Sequence, residues 1–190
     1  MSRLVGPRLP RLKQTWGQPL HSVCAKVKLT SYSNYTLRVL MIAAARFPAL
    51  TTIGEVAEGF AIARTHLVKC VHRLGSWGYI ETIRGNKGGF RLARAAHAIS
   101  IGEIVRRTEE GFDLVECFHL ETNSCPLIDR CRLRPALHSA TEAFLDTLDG
   151  ITLADISENG DDLLEVLHME RPADSPCAVV VAAPNSPVQA

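Results

Sequence analysis

Between Ser33 and Leu92 the chain sets three short amphipathic segments before two strand-like segments around a cluster of glycines. This succession constrains the fold more than any other feature. The spacing predicts a first helix from about Ser33 to Arg46, capped by Ser31 or Ser33 and ended by Pro48. Tyr35, Val39, Ile42, Ala43 and Phe47 mark its apolar stripe. Thr52-Ile-Gly-Glu55 is a capping-box pattern and opens a second helix through about Gly59. A short link, Phe60-Ala61-Ile62, leads to a third helix from about Arg64 to Trp77. There Leu67, Val71 and Leu74 face inward, and Gly78 stands where a helix stops. Two short helices joined by a tight turn are the helix-turn-helix pattern. Tyr79-Ile-Glu-Thr-Ile83 then alternates as a strand, Gly85, Gly88 and Gly89 make a turn, and Phe90-Arg-Leu92 returns as the second arm of a hairpin wing.

Further along, Ser100-Ile-Gly-Glu103 is a second capping-box pattern, starting a helix through about Thr108. A long helix is expected from Leu133 or Pro135 to Leu148, since proline is tolerated only in a first turn. Leu133, Leu137, Ala140, Phe144 and Leu148 give it one apolar stripe, to be covered either within the protomer or by a partner. A short helix follows Thr152. The fold class expected is mainly α with a small β-hairpin wing: a winged helix-turn-helix domain plus a long dimerisation helix. Four stretches are expected: 1–26, a disordered extension or misassigned start; 27–100, the winged domain; 101–160, a cysteine loop and the long helix; 161–190, a mostly disordered tail. Residues 1–26 hold Arg3, Arg8, Arg11, Lys13 and Lys26 with no acid and three prolines, and Val27 can be encoded by an alternative start codon. Residues 171–190 hold four prolines. No run of about 18 apolar residues occurs, so no membrane span is expected.

Net charge is only +1, but it is unevenly spread. Residues 61–100 carry seven Lys/Arg against the single acid Glu81, and residues 101–170 carry five against sixteen Asp/Glu. A basic stretch beside an acidic one suits a polyanion-facing module on a separate body. Arg64, Thr65, His66 and Lys69 lie at the start of the third helix, the end that a helix-turn-helix presents to base edges in the major groove. Arg reads guanine and Thr can touch a thymine methyl. Arg84 and Lys87 sit on the wing turn, thin enough to approach phosphates or a minor groove. A helical protein–protein module is the competing reading of the helices alone; the basic, glycine-rich wing favours double-stranded DNA. No nucleophile–base set or phosphate loop is present, so an enzyme is not expected.

Of six cysteines, Cys24, Cys70 and Cys177 are scattered, whereas Cys117, Cys125 and Cys131 fall within fifteen residues. Three clustered thiols cannot all pair with one another, so a reduced, cytoplasmic metal or redox site is expected. Thiolates are soft, anionic ligands for iron–sulfur clusters or zinc. Arg130, Arg132 and Arg134 nearby favour the thiolate form. Structural zinc asks for four protein ligands, for which His119 is the nearest candidate; incidental thiols are the plain alternative. A cluster on three cysteines leaves one position to a weaker ligand, which suits a sensor better than a sealed electron carrier.

Taken together these residues resemble the family of winged-helix iron–sulfur repressors that contains the nitric-oxide sensor NsrR, the iron regulator RirA and the cluster-assembly regulator IscR. The resemblance covers about residues 28–156. It rests on Lys28-Leu-Thr-Ser-Tyr-Ser-Asn-Tyr35, His66-Leu-Val-Lys69, Arg84-Gly-Asn-Lys-Gly-Gly-Phe-Arg-Leu92, Leu114-Val-Glu-Cys117, Cys125-Pro-Leu, Cys131-Arg-Leu133 and Thr152-Leu-Ala-Asp155. It implies a repressor whose binding to a palindromic operator is controlled by a 4Fe–4S or 2Fe–2S cluster on Cys117, Cys125 and Cys131. It also implies a homodimer formed through the long helix. His66-Leu-Val-Lys69 and Thr152-Leu-Ala-Asp155 look like NsrR, which senses nitric oxide; Thr108-Glu-Glu-Gly-Phe112 and Asn34-Tyr35 look like RirA, which implies iron status as the alternative signal. Asn34 stands where NsrR-type proteins often have an Asp reaching the partner's cluster, and so is the candidate fourth ligand. An iron–sulfur carrier and a zinc-stabilised DNA-binding protein are the remaining alternatives.

Overall fold

The computed structural model describes residues 28–119 and 121–170. The basic stretch 1–26 and the proline-rich stretch 171–190 lie outside the described residues. In chain order the elements are α1 (Ser31–Ala45), α2 (Ile53–Gly59), α3 (Arg64–Ser76), β1 (Ile80–Ile83), β2 (Gly89–Leu92), α4 (Ile101–Thr108), α5 (Leu133–Asp149), α6 (Leu153–Ile156) and α7 (Gly160–Val166), with single 3-10 turns at Ala96–Ala98 and Glu116–Phe118. The mainly α fold with a hairpin wing is the one the sequence predicts.

Each element begins where local chemistry allows. Thr52 and Glu55 form the full capping box of α2: Glu55 N–H donates to Thr52 Oγ1 at 3.2 Å, and Thr52 N–H donates to Glu55 Oε2 at 2.7 Å. The expected second box is only half made. Ser100 Oγ accepts from Glu103 N–H at 3.4 Å, but the Glu103 carboxylate turns away to Arg107 at 3.1 Å. The cap of α1 is Thr30, whose side chain accepts from Ser33 N–H, rather than Ser31 or Ser33. Between α2 and α3 the chain turns at Ala61 with φ 52°, a left-handed conformation unusual for a residue with a Cβ.

β1 and β2 pair antiparallel with Ile80 opposite Leu92 and Ile83 opposite Gly89. Thr51, just before α2, adds a bridge to Phe90, exchanging two backbone bonds of 2.8 Å. The wing is thereby tied to the helix-turn-helix as well as to itself.

The core contradicts the boundary expected at residue 100. One continuous apolar cluster takes in Leu40, Leu67, Leu74, Tyr79 and Phe90 together with Ile104 and Leu153 from beyond that boundary, each 1% exposed or less. α4 and α6 therefore belong to the winged body. So does α7, at the start of the stretch 161–190 expected to be a mostly disordered tail; its Leu164 is 3% exposed and it lies along α1. The seven-residue helix is too short to show a stripe in sequence, and only the groove on α1 makes burial available.

α5 differs from all of these. Its seventeen residues include no buried side chain. It is held at its C-terminal end, where Arg106 on α4 makes a two-pronged ion pair with Asp149, the longer arm 2.6 Å. Gly102 lets the helices meet: a Cβ there would lie 2.0 Å from Asp149 Oδ1 and 2.8 Å from Asp149 N.

Candidate nucleic-acid interface and cysteine loop

Amphipathicity orients α3. Leu67, Cys70, Val71 and Leu74 are buried, which turns Arg64, Thr65, His66 and Lys69 outward, and all four are exposed. The same outward side continues through Val68, 50% exposed, and through His72 and Arg73. These three were not singled out in the sequence, although spacings of three and four from Lys69 put His72 and Arg73 on the same side of the helix. Two neighbours set the start of α3. The Arg64 guanidinium lies over Gly54, where a Cβ would come within 3.0 Å of Nη2. The His66 ring sits tilted against Tyr35 of α1, centroids 5.9 Å apart.

Arg84 and Lys87 are exposed on the wing turn. The turn is tight because Gly88 folds back: a Cβ there would stand 2.2 Å from the Ile83 carbonyl oxygen. Further down the hairpin Arg91 is paired across the strands with Glu81. Among the described residues, no ion pair holds Arg64, Lys69, Arg84 or Lys87. At the wing's base, Tyr79 is enclosed by the guanidinium groups of Arg94 at 4.8 Å and Arg107 at 5.5 Å. Burial, with help from Glu103, pushes its hydroxyl up to about 12. Cations thus crowd both the tip and the root of the wing.

The cysteine loop joins α4 to α5 and is built differently. Among the described residues of 109–132 none is buried. Cys117 lies in the 3-10 turn Glu116–Phe118, the Cys125 N–H donates to Asn123 Oδ1 at 3.1 Å, and Cys131 directly precedes the residue that caps α5. All three are free, half-buried thiols. Two ring contacts lay the loop on α5: Phe118 against His138 at 5.8 Å and Phe112 against Phe144 at 6.3 Å. His119, the candidate fourth zinc ligand, is paired with Asp113 at 2.5 Å. Among the described residues, no three His, Cys, Asp or Glu side chains are drawn together as a metal site. Asn34 is exposed on α1, in a groove with Leu37, Phe60 and Leu163. The donor set nevertheless suits a cluster: three free thiols on one loop, beside three arginines, in a segment with no buried side chain among its described residues.

A helix-turn-helix whose second helix bares unpaired cations, flanked by a cationic wing, defines a winged-helix DNA-binding transcription regulator. The family model for Rrf2, described as "Iron-dependent Transcriptional regulator", matches residues 29–159, and the chain belongs to this family. It is 44% identical over 145 residues to the HTH-type transcriptional regulator NsrR of Bacillus subtilis (strain 168), covering 76% of this chain and 99% of the relative. It is 49% identical over 146 residues to NsrR of Geobacillus kaustophilus (strain HTA426), again covering 76% and 99%. Among solved structures, the oxidized form of Staphylococcus aureus CymR aligns with a TM-score of 0.55 at 25% identity, over 69% of this chain and 96% of that one. The relatives are transcription regulators, not enzymes, as the sequence implies. Among the described residues no helix is long and apolar enough to cross a membrane.

Proposed function

We propose that the protein is a cytoplasmic homodimeric repressor whose hold on a palindromic operator is set by an iron–sulfur cluster, 4Fe–4S or 2Fe–2S, with nitric oxide as the signal. One observation carries this reading. Cys117, Cys125 and Cys131, clustered in sequence, sit half-buried and free on a loop that, among its described residues, buries no side chain and meets the core only through Phe112, between the winged body and a helix with no buried side chain. Likeness to NsrR over nearly the whole length of those relatives supports nitric oxide.

Cys117, Cys125 and Cys131 would hold the cluster as thiolates, favoured by Arg130, Arg132 and Arg134. Such a cluster, when bound, supplies iron that is not fully enclosed by thiolate and is open to a small diatomic ligand. Asn34 of a second copy is the candidate fourth ligand, and its amide oxygen is a poorer donor than a carboxylate. α5 supplies the contact between copies. With Leu133 62% and Phe144 43% exposed, it offers a stripe that the protomer covers only in part, at Leu137 and Leu148. Two copies joined through α5 present two α3 helices, each to one half-site, about one helical turn apart. Arg64, Thr65, His66 and Lys69 read base edges, while Arg84 and Lys87 neutralise backbone phosphate. Cysteine ligation fixes the loop at the head of α5 and hence the spacing of the two winged bodies. A dimer that cannot engage both half-sites loses avidity.

Iron availability is the second reading, favoured by the amide at position 34 and by the family's iron-dependent character. A titration separates the two. Operator binding of anaerobic protein is followed during stoichiometric nitric oxide addition and then during slow iron chelation. Release by nitric oxide is expected; release by chelation alone promotes the iron reading.

A further inference from the structure

Glu109 closes α4 and opens the cysteine loop, eight residues before Cys117. Its side chain does not stay with either element. The carboxylate oxygen Oε1 accepts three hydrogen bonds from the start of α1: from Thr30 N–H at 2.8 Å, from Thr30 Oγ1 at 3.1 Å and from Ser33 Oγ. α1 has no acidic residue in its own first turn, so this carboxylate, 79 positions away from Thr30, supplies the negative charge that a helix N-terminus favours.

The opening of α1 also touches the recognition helix. The Cys70 thiol lies 4.0 Å from the Tyr32 carbonyl oxygen, and Tyr35 backs His66 at 5.9 Å. Between the loop root and the middle of α3 lies an open groove of about 610 Å³, with Val68, Lys69 and Arg73 on one wall and Thr108, Glu109 and Glu110 on the other; Arg107 bridges it only at the far end of α3, 5.7 Å from the Trp77 ring. The firm route from the loop to the DNA-facing end of α3 therefore runs through Glu109 and α1. We infer that Glu109 is a positioning residue: its seat on Thr30 and Ser33 passes the state of the cysteine loop to His66 and its neighbours. This rests on the reading of the loop as the cluster-bearing switch.

Two measurements on full-length, anaerobic Glu109→Ala, with Glu109→Gln as the variant that keeps an acceptor oxygen, test the inference. Hydrogen exchange needs no cluster or operator. In Glu109→Ala, amides 31–36 and 64–69 should exchange at least fivefold faster than in wild type, with Glu109→Gln in between. The second measurement is the ratio of affinities of cluster-loaded and iron-stripped protein for DNA selected by the wild type. A ratio above tenfold in wild type should fall below threefold in Glu109→Ala, with iron and sulfide content unchanged. Unchanged exchange at 64–69, or a wild-type affinity ratio in Glu109→Ala, overturns the inference. A wild-type chain that holds no cluster sinks the reading of the loop instead, and the exchange at 64–69 then decides the role of Glu109 by itself.

Discussion

The winged body and the cysteine loop with α5 follow opposite rules. In the body, α1, α3, the hairpin, α4, α6 and even the short α7 each surrender side chains to one core. In α5, and among the described residues of 109–132, no side chain is buried. The difference separates two tasks. Hydrophobic burial holds the helices and the wing in place, leaving only the start of α3 to be adjusted through α1 and Glu109. The loop and α5 are held by less: Phe112 and Leu148 at the edge of that core, and two ties at their ends, Glu109 on α1 and Asp149 on Arg106; under the proposed function thiolate ligation and a second copy would add the rest.

The largest expected effect breaks the comparison on the body's side. Leu67→Ala empties a fully buried position and should cost about 2–5 kcal/mol of folding stability, read by chemical denaturation. Phe144→Ala, on a half-exposed ring that touches Phe112, should leave the helical circular dichroism intact and weaken self-association in sedimentation instead. Equal destabilisation by the two substitutions would erase the distinction between body and appendage.

Within the DNA face the helix and the wing should part company. Arg64→Ala should lose about 1–3 kcal/mol of discrimination between operator and non-operator DNA. Lys87→Ala should weaken binding to all sequences alike and reduce the slope of log affinity against log salt by about one. A change in sequence preference from Lys87→Ala, with the salt slope intact, would move the wing from backbone to base contacts.

A smaller gain is expected in the turn before α3. Ala61, exposed at φ 52°, carries a Cβ where glycine is at ease, so Ala61→Gly should raise stability by about 1 kcal/mol. No gain in the denaturation midpoint would mean that the turn relaxes freely.

The smallest effect is one of pH. Burial tends to raise Glu55, but the hydrogen bond from the buried Arg46 at 2.6 Å and the capping bonds to Thr52 outweigh it and hold the carboxyl below its ordinary 4.5. A depressed carboxyl contributes stability that is present above its unfolded pKa and is lost as pH falls through the folded one. The difference in melting temperature between wild type and Glu55→Gln should therefore shrink as pH is lowered from 7 into the acid range. A difference that stays constant would assign the effect to packing.

What could be read in advance follows the same division. The stripes of α1 and α3, the Thr52 box and the glycine-rich wing turn are local patterns, and each landed within two residues of its expected place. The outward placement of Arg64, Thr65, His66 and Lys69 was legible because a 3.6-residue period separates inward from outward positions, and that of Arg84 and Lys87 because they stand among the glycines of the wing turn. α7 was missed because seven residues show no period and their burial depends on a groove formed by α1. The Thr30 cap was missed because the carboxylate that completes it is Glu109, remote in sequence. The stripe on α5 was legible, and a helix following a small domain was expected to need a partner surface; that Leu148 rests on the core was not, since periodicity marks a face and not what lies against it.

The claim on which the account turns is that Cys117, Cys125 and Cys131 together hold the group that governs DNA binding. Anaerobic protein and its three single Cys→Ala variants, beside Cys177→Ala as a control, should be compared by visible absorption, iron and acid-labile sulfide, and operator affinity in the same samples. Wild type and Cys177→Ala should be coloured, contain iron and sulfide and bind the operator. Each loop variant should lose the colour and bind at least tenfold more weakly. Colourless wild-type protein that holds zinc, or loop variants that keep full operator affinity, would contradict it.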